Sequence, residues 1–338
     1  MYFSHVKWFV DPHPDPTQNL KVNELLIIIL AISAGLTVLW WLNNFIKQRG
    51  WDKSLVPKLW QHVPDIVRLS TAAILLMNFF KDILVAPNFD INHSGSSFLS
   101  ISLATVGVML LIGIFSRFTA ALLAGLYVYG IFIFGLADML DHLEYIGLAT
   151  YIFIAGGGQW TLEKRWLKQK QDDDTQLLAA RHLQLWTGLA VVAAALSEKI
   201  MAVPLAQDFL ATHHWNLLSG FGVDDRTFIL IAGTMELLVG LSLILGWAMR
   251  VTTLALLGLM ATTAVILGLN EVTGHLFAIP LLASVWIVKP SKSKPSTASS
   301  ACSGSSTVPP RTRRSAQSTL PALPPLPPPR NKPETHRR

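Results

Sequence analysis

Apolar residues in this chain come in long uninterrupted blocks. They run Leu25–Leu42, Ile66–Val85, Phe98–Phe115, Phe118–Leu136, Leu143–Gly156, Leu183–Val203, Phe228–Trp247, Val251–Leu269 and Leu276–Val288. A helix needs about 20 apolar residues to cross hydrocarbon. A bilayer offers no water to backbone N–H and C=O groups, which leaves helix as the conformation for each block. The blocks that start at Leu143 and Leu276 are short and need a flanking polar turn, or a tilted or thinned setting, to span. The pattern predicts an all-α, polytopic membrane protein with about nine transmembrane helices. The first block is expected to be retained. Its N-flank carries His5, Asp11, His13 and Asp15 instead of a basic run, and Trp40, Trp41 and Asn43 stand where a cleavage pattern would follow.

Composition agrees. Of 338 residues, 51% are hydrophobic and only 14% charged, against about 25% charged in soluble domains. Mean hydropathy is +0.43. The net charge of +6 is unevenly placed: Lys289–Arg338 holds ten Lys/Arg and one acid, Glu334, so this tail carries +9 and the rest −3. The basic character therefore does not imply a nucleic-acid partner. The single cysteine, Cys302, lies in the tail, so no intramolecular disulfide can form. With the N-terminus outside, thirteen Lys/Arg fall on inner segments and five on outer ones. The positive-inside rule then predicts a multi-pass cell-membrane protein, N-terminus out and C-terminus cytoplasmic.

The chain resembles itself. At an offset of 133 residues, Val106–Leu148 matches the later half at sixteen of forty-three positions without a gap. The matches include Gly107/Gly240, Gly113/Gly246, Arg117/Arg250, Thr119/Thr252 and His142/His275. Apolar bias alone does not align glycines, an arginine and a histidine in one register. Each copy holds four blocks, an even number, so both would insert the same way up as parallel repeats. The expected organisation is an N-terminal segment with one helix and an inner loop (1–64), a first four-helix unit (65–156), a charged inner linker (157–181), a second four-helix unit (182–288) and a Pro/Ser-rich basic tail (289–338). For Arg117 and Arg250 the expected role is snorkelling to lipid phosphate.

The polar residues at the outer boundary carry the candidate chemistry. Asp138 and His142, like Glu271 and His275, are four apart and would share a helix face, each carboxylate fixing an imidazole tautomer. Lys81, Glu198 and Lys199 fall at the same level, and Glu236 lies deep enough to need a partner, with Lys199 and His275 as candidates. Ionisable groups near a bilayer are costly and mark functional sites by default. Three readings fit. The set His142, Asp138, His275 and Glu271 suits a transition metal. His142 and His275 could ligate haem, which nothing else in the chain favours. A quinone headgroup could exchange protons with Glu236, Lys199 and His275, with Glu198, Glu271 and Lys81 lining the cofactor. The bland alternatives are helix caps facing headgroups and structural Lys–Glu fasteners. No GxSxG, P-loop or HExxH motif is present.

The second half resembles the DoxX family of four-helix membrane proteins. The residues that carry the likeness are Ser197-Glu198-Lys199, Gly233-x-x-Glu236-x-x-x-Gly240, Gly246-x-x-x-Arg250 and Gly268-x-x-Glu271-x-x-x-His275-Leu276. The likeness covers about Arg181–Val288. Residues 65–156 look like a degenerate copy, with Leu103 in place of Glu236 and Asp138 in place of Glu271. The resemblance implies association with a membrane redox system, linked to quinone or to thiol and sulfur chemistry, with redox partner subunits; members include subunits of a thiosulfate:quinone oxidoreductase. A transporter or permease, motivated by parallel repeats, and a non-catalytic assembly subunit are the alternatives. The tail, with Pro325-x-x-Pro328-x-Arg330, reads as disordered. It is a weak candidate for an SH3-like domain or for anionic lipid of the inner leaflet.

Overall fold

Every apolar block carries a helix in the computed structural model, which describes residues 20–51, 57–91, 97–167, 172–267 and 276–287. The helices are α1 (Val22–Arg49), α2 (Val63–Phe80), α3 (Ser97–Ile112), α4 (Ser116–Phe134), α5 (Glu144–Ala155), α6 (Asp173–Ala194), α7 (Val203–His213), α8 (Asp225–Leu245), α9 (Met249–Leu267) and α10 (Ala278–Trp286). Among the described residues no β-strand forms beyond one isolated bridge, Ile83 to Asp90. Among the described residues, five helical stretches are long and apolar enough to cross a membrane: Val22–Arg49, Lys58–Phe80, Ser116–Phe134, Asp173–Ile200 and Asp225–Leu245. Shorter apolar helices cover Ser97–Ile112, Glu144–Ala155 and Met249–Ala261. The apolar helices point to a bilayer environment. The basic tail, Glu271 and His275 lie outside the described residues.

Local chemistry sets the helix starts. Asp172 and Asp224 precede α6 and α8, and each carboxylate accepts the backbone N–H of the threonine three residues on, Thr175 and Thr227, at 3.2 Å. This satisfies one of the orphan donors of a first helical turn. Packing then follows a regular scheme. α2 lies along α3 as α6 lies along α8, α5 packs on α6, and α10 packs on α2. α1 stands apart from that scheme. It buries only Ile28 and Asn43, and it rests on α8.

The α3–α4 and α8–α9 turns share one geometry. Gly113 and Gly246 have φ of 73° and 71°, and Phe115 and Ala248 have φ of 46° and 45°. Thr119 donates its hydroxyl to the Ile114 and Phe115 carbonyls, and Thr252 does the same to Trp247 and Ala248. An arginine caps the helix before each turn. Arg68, fully buried, donates to the Leu110 and Leu111 carbonyls and to those of Gly157 and Trp160. Arg181 donates to the Leu243 and Ile244 carbonyls. A cation there meets the orphan carbonyls and the negative end of the helix dipole.

α6 and α8 cross at Gly188 and Gly240. A Cβ built on Gly188 would sit 2.8 Å from the Gly240 carbonyl oxygen, and one on Gly240 would sit 2.9 Å from that of Gly188. Backbone meets backbone here, the close approach that small residues permit between apolar helices. This crossing sets the distance between the two elements that carry the site.

Candidate functional site

Beyond Ala194 the α6 helix widens into a π-helical segment, Ala195–Ile200. Its last turn closes with Met201 N–H donating to the Leu196 carbonyl at 2.8 Å, a five-residue step. Such segments inside α-helices occur frequently at functional sites. This one holds Ser197, Glu198 and Lys199.

Lys199 crosses over Gly233 of α8 to reach Glu236. Its Nζ lies 2.8 Å from Glu236 Oε1 and 2.9 Å from Oε2. Both side chains are buried, at 4% and 2% exposure. Gly233 makes the crossing possible, since a Cβ there would stand 3.0 Å from Lys199 Cβ. Glu198 beside the pair is also fully buried. Burying an ion pair costs several kcal/mol of desolvation per ion, which the pairing must offset.

Apolar groups wall the pair. On one side α7 and the start of α8 bring Ala206, Phe209, Leu210, Phe228, Ile229 and Ala232 around a small pocket on Lys199. On another, Ala195, Ile200 and Leu237 pack with Ile28 of α1. Outside that layer, a cleft of about 350 Å³ runs between α1 and α8. It is lined by Ile27, Ala31, Leu230, Met235 and Leu238 among others. The Glu24–Arg226 ion pair, bidentate at 2.8 Å, ties the two helices together at that end.

A second buried polar group stands at the start of α5. His142 Nδ1 lies 3.3 Å from Glu144 Oε1, and both residues are 3% exposed. Asp141, equally buried, accepts the Ser197 hydroxyl at 3.2 Å, which links this group to the π segment. The Phe89 ring meets the imidazole edge-on at 5.3 Å. Tyr145 donates to the Val85 carbonyl and accepts from Asn78, and Tyr127 donates to the Met139 carbonyl.

The structure pairs Glu236 with Lys199, one of the two partners the sequence offered, and buries Glu198. Lys81 is instead exposed at the C-cap of α2. Asp138 is exposed, and the buried partner of His142 is Glu144. The cause is a change of winding: the short α-helix Leu136–Met139 gives way to a 3₁₀ turn, Leu140–His142, and at three residues per turn positions four apart no longer share a face. Asp141 and Glu144 were the signal to read here, two acids flanking one histidine. Among the described residues no group of three or more His, Cys, Asp or Glu is placed to hold a metal ion. Two of the four expected ligands, Glu271 and His275, fall outside those residues. No family model, curated protein or solved structure matches the chain.

Proposed function

We propose that the chain is a DoxX-like integral membrane protein in which the buried Lys199–Glu236 pair exchanges protons with a membrane quinone. The observation that carries this reading is a fully enclosed ammonium–carboxylate pair, held on a π segment inside an otherwise apolar helix pair. A structural fastener alone has little need of two buried charges, since apolar side chains of the same volume serve as well or better. Quinone reduction takes up two electrons and two protons, and quinol oxidation releases them. The pair, with Glu198, is suited to the protons; the electrons pass to or from a redox partner subunit. The α1–α8 cleft is suited to the isoprenoid chain, and its floor residue Ile28 packs against Leu237 and Ile200 beside the pair.

The same reading takes the chain as nine spans, N-terminus out, with α2–α5 and α6, α8, α9 and α10 as parallel repeats. The matched turns, the matched arginine caps and the reciprocal packing of α5 on α6 and α10 on α2 support it. The test is purification from membranes in mild detergent, followed by extraction and quantitation of quinone. Wild-type protein retains quinone near one per chain and Glu236→Gln loses most of it. A wild type that retains none and leaves added quinol unreacted sinks the reading. Uptake of a solute into proteoliposomes that Glu236→Gln abolishes would favour transport instead.

A further inference from the structure

We propose that Asp141 is a positioning residue: by accepting the Ser197 hydroxyl it fixes the register of the π segment and so holds Lys199 on Glu236. The inference takes the Lys199–Glu236 pair as the working site and does not depend on quinone as its substrate.

A π segment is one residue in excess of α-helical winding. The excess can sit at more than one place along a helix, since sliding it one step exchanges one backbone bond for another. Side-chain contacts must therefore choose the place. The choice matters here. Moving the excess residue past Lys199 would turn that side chain by about 100° around the axis, the angle of one residue at 3.6 per turn. Nζ would then leave Glu236.

Two contacts grip Ala195–Ile200 from opposite sides. On one side Lys199 reaches Glu236 at 2.8 Å. It does so over Gly233, where an added Cβ would stand 3.0 Å from Lys199 Cβ and 3.1 Å from Ile200 Cγ1. On the other side Ser197 donates to Asp141 Oδ1 at 3.2 Å. Side chains two apart leave a helix about 200° from each other, so each contact limits a rotation that the other permits. A long lysine alone can follow a rolling helix, and a short serine cannot.

The Ser197 bond departs from the local habit of the chain. The hydroxyls of Thr71, Thr105, Thr150 and Thr234 bond back to the carbonyl four residues earlier, the usual choice for a helical hydroxyl. Ser197 reaches a residue 56 positions away instead. Asp141 is buried in the 3₁₀ turn Leu140–His142, which packs on α6. At the 133-residue offset its counterpart is Gly274. The carboxylate that steadies the pair in the second half is thus supplied by the first.

The test uses the full chain in detergent, labelled with ¹⁵N-lysine. Exposed ammonium hydrogens exchange too fast to be seen, so the Lys199 Nζ resonance, assigned by its loss in Lys199→Met, reports an enclosed and paired ammonium. Ser197→Ala and Asp141→Ala are expected to abolish it. Ser197→Thr and Asp141→Asn, which keep the donor and the acceptor, retain it. Asp172→Ala, which loosens the start of α6 away from the π segment, also retains it. Unfolding midpoints give a second readout. Contacts that lie apart and share no partner add, whereas a common register makes the shift of Ser197→Ala/Glu236→Gln clearly smaller than the sum of the two single shifts. A wild-type resonance in Ser197→Ala overturns the proposal, and so do additive midpoints. Loss of the resonance in Asp172→Ala overturns it too, because the signal would then follow stability alone. A chain that binds no quinone sinks the functional reading and leaves these outcomes to decide the register.

Discussion

The two halves of this molecule share one turn geometry and place their buried acids differently. Glu236 in the second half corresponds, at the 133-residue offset, to Leu103 in the first, which is 1% exposed. Conversely, Glu144 in the first half corresponds to Phe277 in the second. Each half thus buries a carboxylate where the other carries carbon, fully buried at Leu103 and partly buried at Phe277, and each carboxylate has its own basic partner: Lys199 in one case, His142 in the other. The α3–α4 and α8–α9 turns match in backbone conformation, and each is preceded by an arginine on the closing carbonyls. The ionisable chemistry is local. A search for matching site residues in the two halves would therefore find the scaffold and miss the chemistry.

The sharpest way to break this comparison is to remove one partner. Glu236→Ala leaves a buried ammonium uncompensated and is expected to destabilise by about 3–5 kcal/mol, read as a lowered unfolding midpoint in detergent. The double variant Glu236→Leu/Lys199→Met, which makes the second half resemble the first at this point, should recover most of that loss. A double variant as unstable as the single would show that the pair's electrostatics are not what distinguishes the halves.

Next in size is the glycine crossing. Gly107 and Gly240 are equivalent by offset, yet a Cβ on Gly107 would meet the Leu76 side chain at 3.0 Å, whereas one on Gly240 would meet backbone and side-chain atoms of α6 at 2.8–3.0 Å. A side chain can turn aside and a helix backbone cannot. Gly240→Ala is expected to cost about 1–3 kcal/mol, and Gly107→Ala clearly less, by the same thermal measurement.

The caps should cost about 1 kcal/mol each, in Asp172→Ala and in Asp224→Ala. The smallest effect is a pH dependence. Hydrogen bonds from the Thr227 hydroxyl and backbone hold the Asp224 carboxyl below its ordinary range. Its contribution is therefore present above the unfolded-state value of about 3.9 and is lost as pH falls through the lower folded value. Wild type should lose its margin over Asp224→Ala below about pH 4; a margin that persists there would mean the cap acts through shape alone.

Much of the fold was legible because lipid solvent imposes a length and a composition on each helix. That Glu236 needs a partner was legible too, since a deep carboxylate in an apolar block needs a cation; the sequence narrowed it to Lys199 or His275, and the structure selects Lys199. Other features resisted for definite reasons. A hydropathy pattern carries no mark of the 3₁₀ turn at Leu140–His142, so a four-residue spacing pointed to Asp138 when the winding selects Glu144. Arg68 read as an inner-loop charge, because nothing local reveals that carbonyls more than forty residues away will hold it. The π segment is likewise invisible: its single extra residue per turn becomes evident only through the bonds it makes.

The docking of α1 has a consequence for how the chain assembles. Its N-terminal end is held by Arg226, 202 residues downstream of Glu24. Its C-terminal end is held by Ala248, whose N–H donates to Asn43 at 3.2 Å, 205 residues away. α1 is therefore synthesised long before anything exists for it to clasp. Until α8 emerges, α1 must remain a solitary helix in the lipid, with Glu24 lacking its cation and Asn43 its backbone donor. Ribosomal order and contact order run opposite here, and closing this clasp is necessarily a late event in the maturation of the protein.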